Sequence, residues 1–235
     1  MTRTIKLVID ELTKHEDPKK AQFLQKFFKT GRGQYGEGDI FLGVNMPTIR
    51  RISKDFITLS NSEIEKLLES PIHECRMLAL IIMVNQFKKA SELERKKLFN
   101  LYLANTSKIN NWDLVDVSCR DIVGEYLLDK DRQRLYQLAK SKNLWERRIA
   151  IVSTWYFIKH NQLEDTFKIS IILIDDKHDL IHKAVGWMLR EAGKKDEQAL
   201  KDFLNKYANK LPRTALRYSL EKLPNIEKQY YMQLT

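Results

Sequence analysis

The sequence predicts an all-α chain, an α-solenoid of antiparallel helix pairs with a concave, basic face. Three observations predict it. Apolar residues recur at helical spacing from end to end, and no stretch shows convincing strand alternation. Helix openings share a pattern: Glu74-Cys-Arg76, Glu146-Arg-Arg148, Ile181-His-Lys183 and Leu211-Pro-Arg213, each followed by an apolar run. Allowing for one gap, they recur at roughly 30–38 residues, the range of helical-pair repeats. Third, 41 Lys and Arg face 31 Asp and Glu, a net charge of +10 spread along the chain and not gathered in one tail. That suits a folded surface touching phosphates at many points.

Taken in order, Ile5, Val8, Ile9 and Leu12 predict a helix over 5–14. Asp17-Pro18 opens the next, with Asp17 as N-cap and Pro18 at the first helical position, and it runs through Ala21, Leu24 and Phe28. A loop follows that holds five of the eight glycines, Gly31, Gly33, Gly36, Gly38 and Gly43. Its Gly31-Arg-Gly33-Gln-Tyr-Gly36 matches GxGxxG, but a dinucleotide site needs a strand before it and a helix after it. Here the preceding segment is helical, so the loop reads as a flexible connection with Arg32 available to a phosphate. Pro47 to Arg51 opens another helix with Ile49, Ile52 and Phe56 inward. Ser62 and Glu65 fit a capping box. Helices follow over 73–87, 91–103, 111–127, 131–141, 144–159, 163–173, 180–193, 196–208 and 212–223. The tail from Pro224 is left without an assignment.

The 235 residues, 43% hydrophobic and 31% charged, suffice for one array with a sizeable core. The expected organisation is one domain over 1–235: N-terminal helices at 1–58, repeats from about 62 to 224, and a short tail. No apolar run reaches membrane-spanning length, and Met1-Thr2-Arg3-Thr4 does not open a signal peptide. Cys75 and Cys119 lie in apolar helical segments without CxxC spacing and read as reduced core thiols of a cytosolic protein. Two Cys and five scattered His build no zinc signature. No metal, cofactor or membrane partner is expected, and a monomer is.

The stretch that carries chemistry is Asn110-Asn111-Trp112-Asp113-Leu114-Val115-Asp116. Trp112 and Asp116 are four residues apart, so they share a helix face. A ring face beside a carboxylate suits a cation. A cation pocket within a surface for a polyanion suggests nucleic acid bearing a positively charged, modified base. Arg148 and Trp187 fall at similar places in the repeat and converge with this pair if the solenoid forms. Each residue has a plainer reading. Trp112 and Trp187 also fit core aromatics, and Trp145 and Trp155 read as core or edge packing. Asp116 also fits a helix-terminus acceptor or a partner of Arg148. Arg148, beside Arg147, also fits a solvated or phosphate-binding side chain. His182 and Lys183 read as groove-lining charges.

The motifs Asn111-Trp112-Asp113-Leu114-Val115-Asp116, Leu144-Trp145-Glu146-Arg147-Arg148-Ile149-Ala150 and Lys183-Ala184-Val185-Gly186-Trp187-Met188-Leu189-Arg190-Glu191 resemble the AlkD-like DNA alkylation repair proteins, glycosylases built from HEAT-like repeats. The stretch Tyr35 to Asp39 with Phe41 to Val44 and Pro47 to Arg50 also resembles that family, so the likeness spans roughly 5–225. The resemblance implies excision of N3- or N7-alkylated purines from duplex DNA. It implies Trp112, Asp116 and Trp187 at the lesion, and Arg148 on the nearby backbone. Arg147, Lys183, His182, Arg190 and Arg213 complete the expected DNA-contacting set. Phe27 joins it where some relatives carry an aromatic hydroxyl, so one backbone hydrogen bond departs. The base is expected to stay in the duplex, and no lysine nucleophile or strand-cleaving activity is indicated. Two other classes stay open: a DNA-binding relative without hydrolysis, and a protein-interaction solenoid.

Overall fold

In a computed structural model, residues 3–234 are described, and they are helical with no strand among them. The helices are α1 (Arg3–Thr13), α2 (Pro18–Phe27), α3 (Met46–Asp55), α4 (Asn61–Leu68), α5 (His73–Phe87), α6 (Glu92–Ala104) and α7 (Trp112–Cys119). After a π-helical turn at Arg120–Gly124 come α8 (Glu125–Leu127), α9 (Gln133–Ala139), α10 (Leu144–Lys159), α11 (Glu164–Ile172) and α12 (Asp179–Gly193). The series closes with α13 (Glu197–Tyr207), a short 3₁₀ turn at Ala208–Lys210, α14 (Arg213–Ser219) and α15 (Asn225–Gln233). The chain divides into two compact units between Ser118 and Cys119.

The first unit is built round α5. Thirteen of its 15 residues are buried, so it is apolar all round and needs neighbours on every side. α1, α3, α4 and α6 supply them. Asp17 caps α2 by accepting from the Lys20 N–H at 3.0 Å, with Pro18 next, as the sequence reading has it. The capping box of α4 lies two residues earlier than expected. Glu63 accepts from the N–H and the hydroxyl of Ser60 at 2.9 and 2.8 Å. Ser60-x-x-Glu63 and Ser62-x-x-Glu65 fit the motif equally. The earlier start is the one whose helix carries Ile64, Leu67 and Leu68 inward.

The glycine-rich segment is not a loose connection. Asp39, Phe41 and Val44 are buried, and Ile40 pairs with the chain before α5 through Ile40 N–H to Pro71 O (3.0 Å) and His73 N–H to Ile40 O (2.8 Å). Gly43 has φ +84, and a Cβ there would lie 2.3 Å from the Asp17 carbonyl oxygen, so only glycine fits.

In the second unit, helix pairs repeat. α10 packs on α12 and α12 on α14, with α9, α11 and α13 as the other members of the pairs. Close packing recurs in register. A Cβ on Gly124 would meet Ser153 O at 2.4 Å and the Tyr156 side chain at 2.8 Å; one on Gly186 would meet Ala215 O at 2.4 Å and Tyr218 at 2.5 Å. Both glycines therefore face residues 29 and 32 positions further along, a repeat expressed in packing. α15 lies in the tail that the sequence reading left unassigned.

A joint shared by α5, α10 and α12 corrects the register of the recurring helix opening by one residue: Arg147 and His182, not Arg148 and Lys183, stand where Arg76 does. Three residues before each helix sits Ser70, Ser141 or Asp176. Its side-chain oxygen accepts the N–H two residues on: Ile72 at 3.1 Å, Asn143 at 3.0 Å, His178 at 2.9 Å. Its carbonyl accepts from a basic side chain at the fourth helical position: Arg76 at 2.7 Å, Arg147 at 3.0 Å, His182 at 2.5 Å. Turn and helix thereby satisfy each other's backbone groups.

Candidate functional site

The first turn of α7 is held by a buried charged cluster. His73, 2% exposed, donates from Nδ1 to Asp39 Oδ2 at 3.0 Å and from Nε2 to Asp113 Oδ2 at 2.9 Å. Two donated bonds to two carboxylates require the imidazolium. Burial works against that charge, but the Asp113 and Asp39 carboxylates outweigh it and raise the His73 pKa to about 9. Arg76 pairs with the other Asp39 oxygen at 2.6 Å, and Asn110 donates to it at 3.2 Å. Burial pushes the Asp39 pKa up, but His73 and Arg76 hold it below its ordinary value. Glu74 accepts from the N–H groups of Leu42 and Gly43 at 3.0 and 2.8 Å. The cluster thus ties the glycine-rich segment to α5 and α5 to α7.

The two acids of α7 have different surroundings. Asp113 is turned onto His73, while Trp112 and Asp116, one turn apart, are half-buried. The Trp112 backbone N–H donates to Asn111 Oδ1 at 2.9 Å. Its ring stacks on Phe28 at 5.2 Å between centroids and meets the edge of Phe27 at 6.2 Å. Trp112 is therefore packed on one side and reaches solvent on the other.

In the second unit, Trp187 is the half-buried residue in a buried run of α12, Ala184 to Leu189. The expected DNA-contacting cations there have intramolecular partners. Arg148 is 5% exposed and donates to Leu180 O at 2.7 Å. Arg147 pairs with Asp176 at 2.6 Å besides its bond to Ser141 O. Both arginines thus hold the opening of α12, the helix that carries Trp187. His182 is engaged at Asp176 O. Lys183 pairs with Asp179 at 2.7 Å, Arg190 with Glu221, and Arg213 donates to Met232 O at 2.5 Å. Of these, Lys183 keeps much of its side chain in solvent, and Arg213 is exposed. Trp145 is buried, as its core reading has it, and Trp155 lies under the Arg120 guanidinium at 4.9 Å. Among the described residues, no three His, Cys, Asp or Glu gather as metal ligands.

Sequence reasoning missed His73, Asp39 and Asp113. The bonds that join them span 34 and 40 residues, and no periodicity encodes such a pair. An acid inside the apolar opening of α7 was the one hint.

The protein is thus an all-helical chain of paired repeats with an indole and an acid at the opening of one helix. The chain belongs to the DNA alkylation repair enzyme family, whose model matches residues 8–223. Among solved structures it is similar to a predicted DNA alkylation repair enzyme from Enterococcus faecalis. That match has 19% identity, covers 90% of this chain and 98% of the other, and has a TM-score of 0.70. It is also similar to AlkD2 from Streptococcus mutans at 20% identity, 91% and 94% coverage and a TM-score of 0.50. The protein smu.31 from Streptococcus mutans UA159 matches at 19%, 91% and 94%, and 0.51. No curated protein matches the chain.

Proposed function

We infer that the protein is a monofunctional glycosylase that hydrolyses the N-glycosidic bond of N3- or N7-alkylated purines in duplex DNA. The observation that carries this reading is the division on α7. One acid, Asp113, is fixed on His73, and a second, Asp116, stands half-buried one turn from the Trp112 ring. Family membership supports a role in DNA repair.

The chemistry follows from charge. Alkylation at N3 or N7 places a full positive charge on the purine. When the bond from C1′ to N9 breaks, its electron pair goes to the base and neutralises it. The sugar left behind is oxocarbenium-like. The Asp116 carboxylate stabilises that charge, orients a water toward C1′ and takes the proton the water loses. The face of Trp112 favours the same cation through its quadrupole. In this reading the duplex backbone is gripped by cations that reach solvent, Lys183 and Arg213 among them. Arg147 and Arg148 act by setting the opening turn of α12.

Release of 7-methylguanine and 3-methyladenine from methylated duplex DNA tests the reading. Both bases are expected in solution with the strand left uncleaved. Removal of uracil, a neutral base, at a similar rate contradicts the cation argument, and no release of either methylated base overturns the assignment.

A further inference from the structure

Helix α2 shows solvent two large aromatic rings that the core does not need. Phe23 is 63% exposed and Phe27 53%. They are one turn apart, and their rings lie nearly parallel, 18° between planes and 5.9 Å between centroids. Phe27 in turn touches the Trp112 ring, so the exposed pair continues the aromatic surface of the candidate site. Uncompensated apolar rings on a surface usually mark an interaction.

The charge around them points to the occupant. From Pro18 to Gly36 the sequence has no acid, but it has Lys19, Lys20, Lys26, Lys29 and Arg32. Lys19 stands one turn before Phe23 and Lys26 three residues after it, so ammonium groups flank the rings along one helix face. Flat apolar rings bordered by cations match a nucleotide with its base unstacked: the ring face takes the base and the lysines take its phosphates. A paired duplex offers no open base face.

We propose that Phe23 and Phe27 form a stacking platform for an unpaired nucleobase of DNA, beside Trp112 and distinct from the cation site at Asp116. The platform rests on the DNA-binding part of the functional reading and not on hydrolysis.

The experiment uses undamaged DNA, so it is independent of excision. The full chain is titrated into a single strand, a fully paired duplex, and a duplex with one bulged 2-aminopurine. The wild type is expected to quench the bulged 2-aminopurine and to prefer the bulged duplex to the paired one. Phe23→Leu with Phe27→Leu keeps apolar side chains but removes the rings. It is expected to lower affinity for the bulged duplex and the single strand about tenfold, to abolish the quenching, and to lower affinity for paired duplex by clearly less, the part that Phe27 contributes to the duplex contacts. Phe23→Leu alone, which does not touch Trp112, is expected to weaken both, and the double Tyr variant to restore them. Unchanged quenching and affinity in the double Leu variant overturn the proposal. Equal losses on paired and bulged duplex overturn it too. A loss confined to anionic phospholipid vesicles also overturns it, by assigning the patch to a membrane surface.

Discussion

The two units open their main helices with one kind of joint and put different chemistry beside it. At α5 the joint residue Arg76 also pairs with Asp39, and through Asp39 and His73 it belongs to a buried cluster that fixes Asp113 on α7. At α10 the joint residue Arg147 also pairs with Asp176, the first residue of the next joint. The first arrangement uses charge to hold the opening turn of α7 in place. The second uses it to pass the register from one helix pair to the next, and leaves close glycine packing to hold the pairs together. A repeat can thus conserve its joint while only one copy carries an electrostatic block.

The contrast can be broken at its charged side first. His73→Leu leaves two carboxylates and a guanidinium buried with mismatched charge. It is expected to cost about 3–5 kcal/mol, read by chemical denaturation. A cost below about 1 kcal/mol would mean the cluster is hydrated and holds little.

The same cluster makes stability depend on pH. The folded pKa of His73, about 9, lies above its ordinary 6.5. Its contribution is therefore fully present below pH 6.5 and is lost as pH rises through 9. The loss is expected to reach about 3 kcal/mol between those limits, by the linkage of pKa to stability. Denaturation midpoints measured across that range should fall in the wild type and stay flatter in His73→Leu.

The packing side is expected to respond less. Gly186→Ala drives a methyl group against Ala215 O and the Tyr218 side chain, and about 1–3 kcal/mol is expected from overpacking. Gly124→Ala should match it, because the register is the same. A large difference between the two would end the equivalence.

Smallest, Ser70→Ala and Ser141→Ala each remove one acceptor at a joint and should each cost about 1 kcal/mol. Equal costs sharpen the claim of a shared joint; an effect at only one removes it.

The helical class was legible in the sequence because burial on a helix has a short period. Leu144–Lys159 carries the bounds the pattern predicts, and Asp17-Pro18 caps α2 as read. Where two registers satisfied one motif, as at Ser60 and Ser62, only packing of Ile64 and Leu67 decided between them. The π-turn at Arg120–Gly124 has no local pattern that marks it. Trp112 and Asp116 were visible because a helix relates them directly. The partners of Arg147 and Arg148 were not, since Asp176 and the Leu180 carbonyl lie about 30 residues away and chain spacing alone cannot aim a guanidinium.

The central claim is that the two acids of α7 do different work. It is tested most directly by single-turnover release of 7-methylguanine from duplex DNA by Asp116→Asn, with affinity for the same duplex measured alongside. The expected result is a rate lowered about 10²-fold or more with affinity nearly intact, since the charge acts in the transition state. An unchanged rate, or a loss of binding equal to the loss of rate, contradicts the account and returns Asp116 to a structural role.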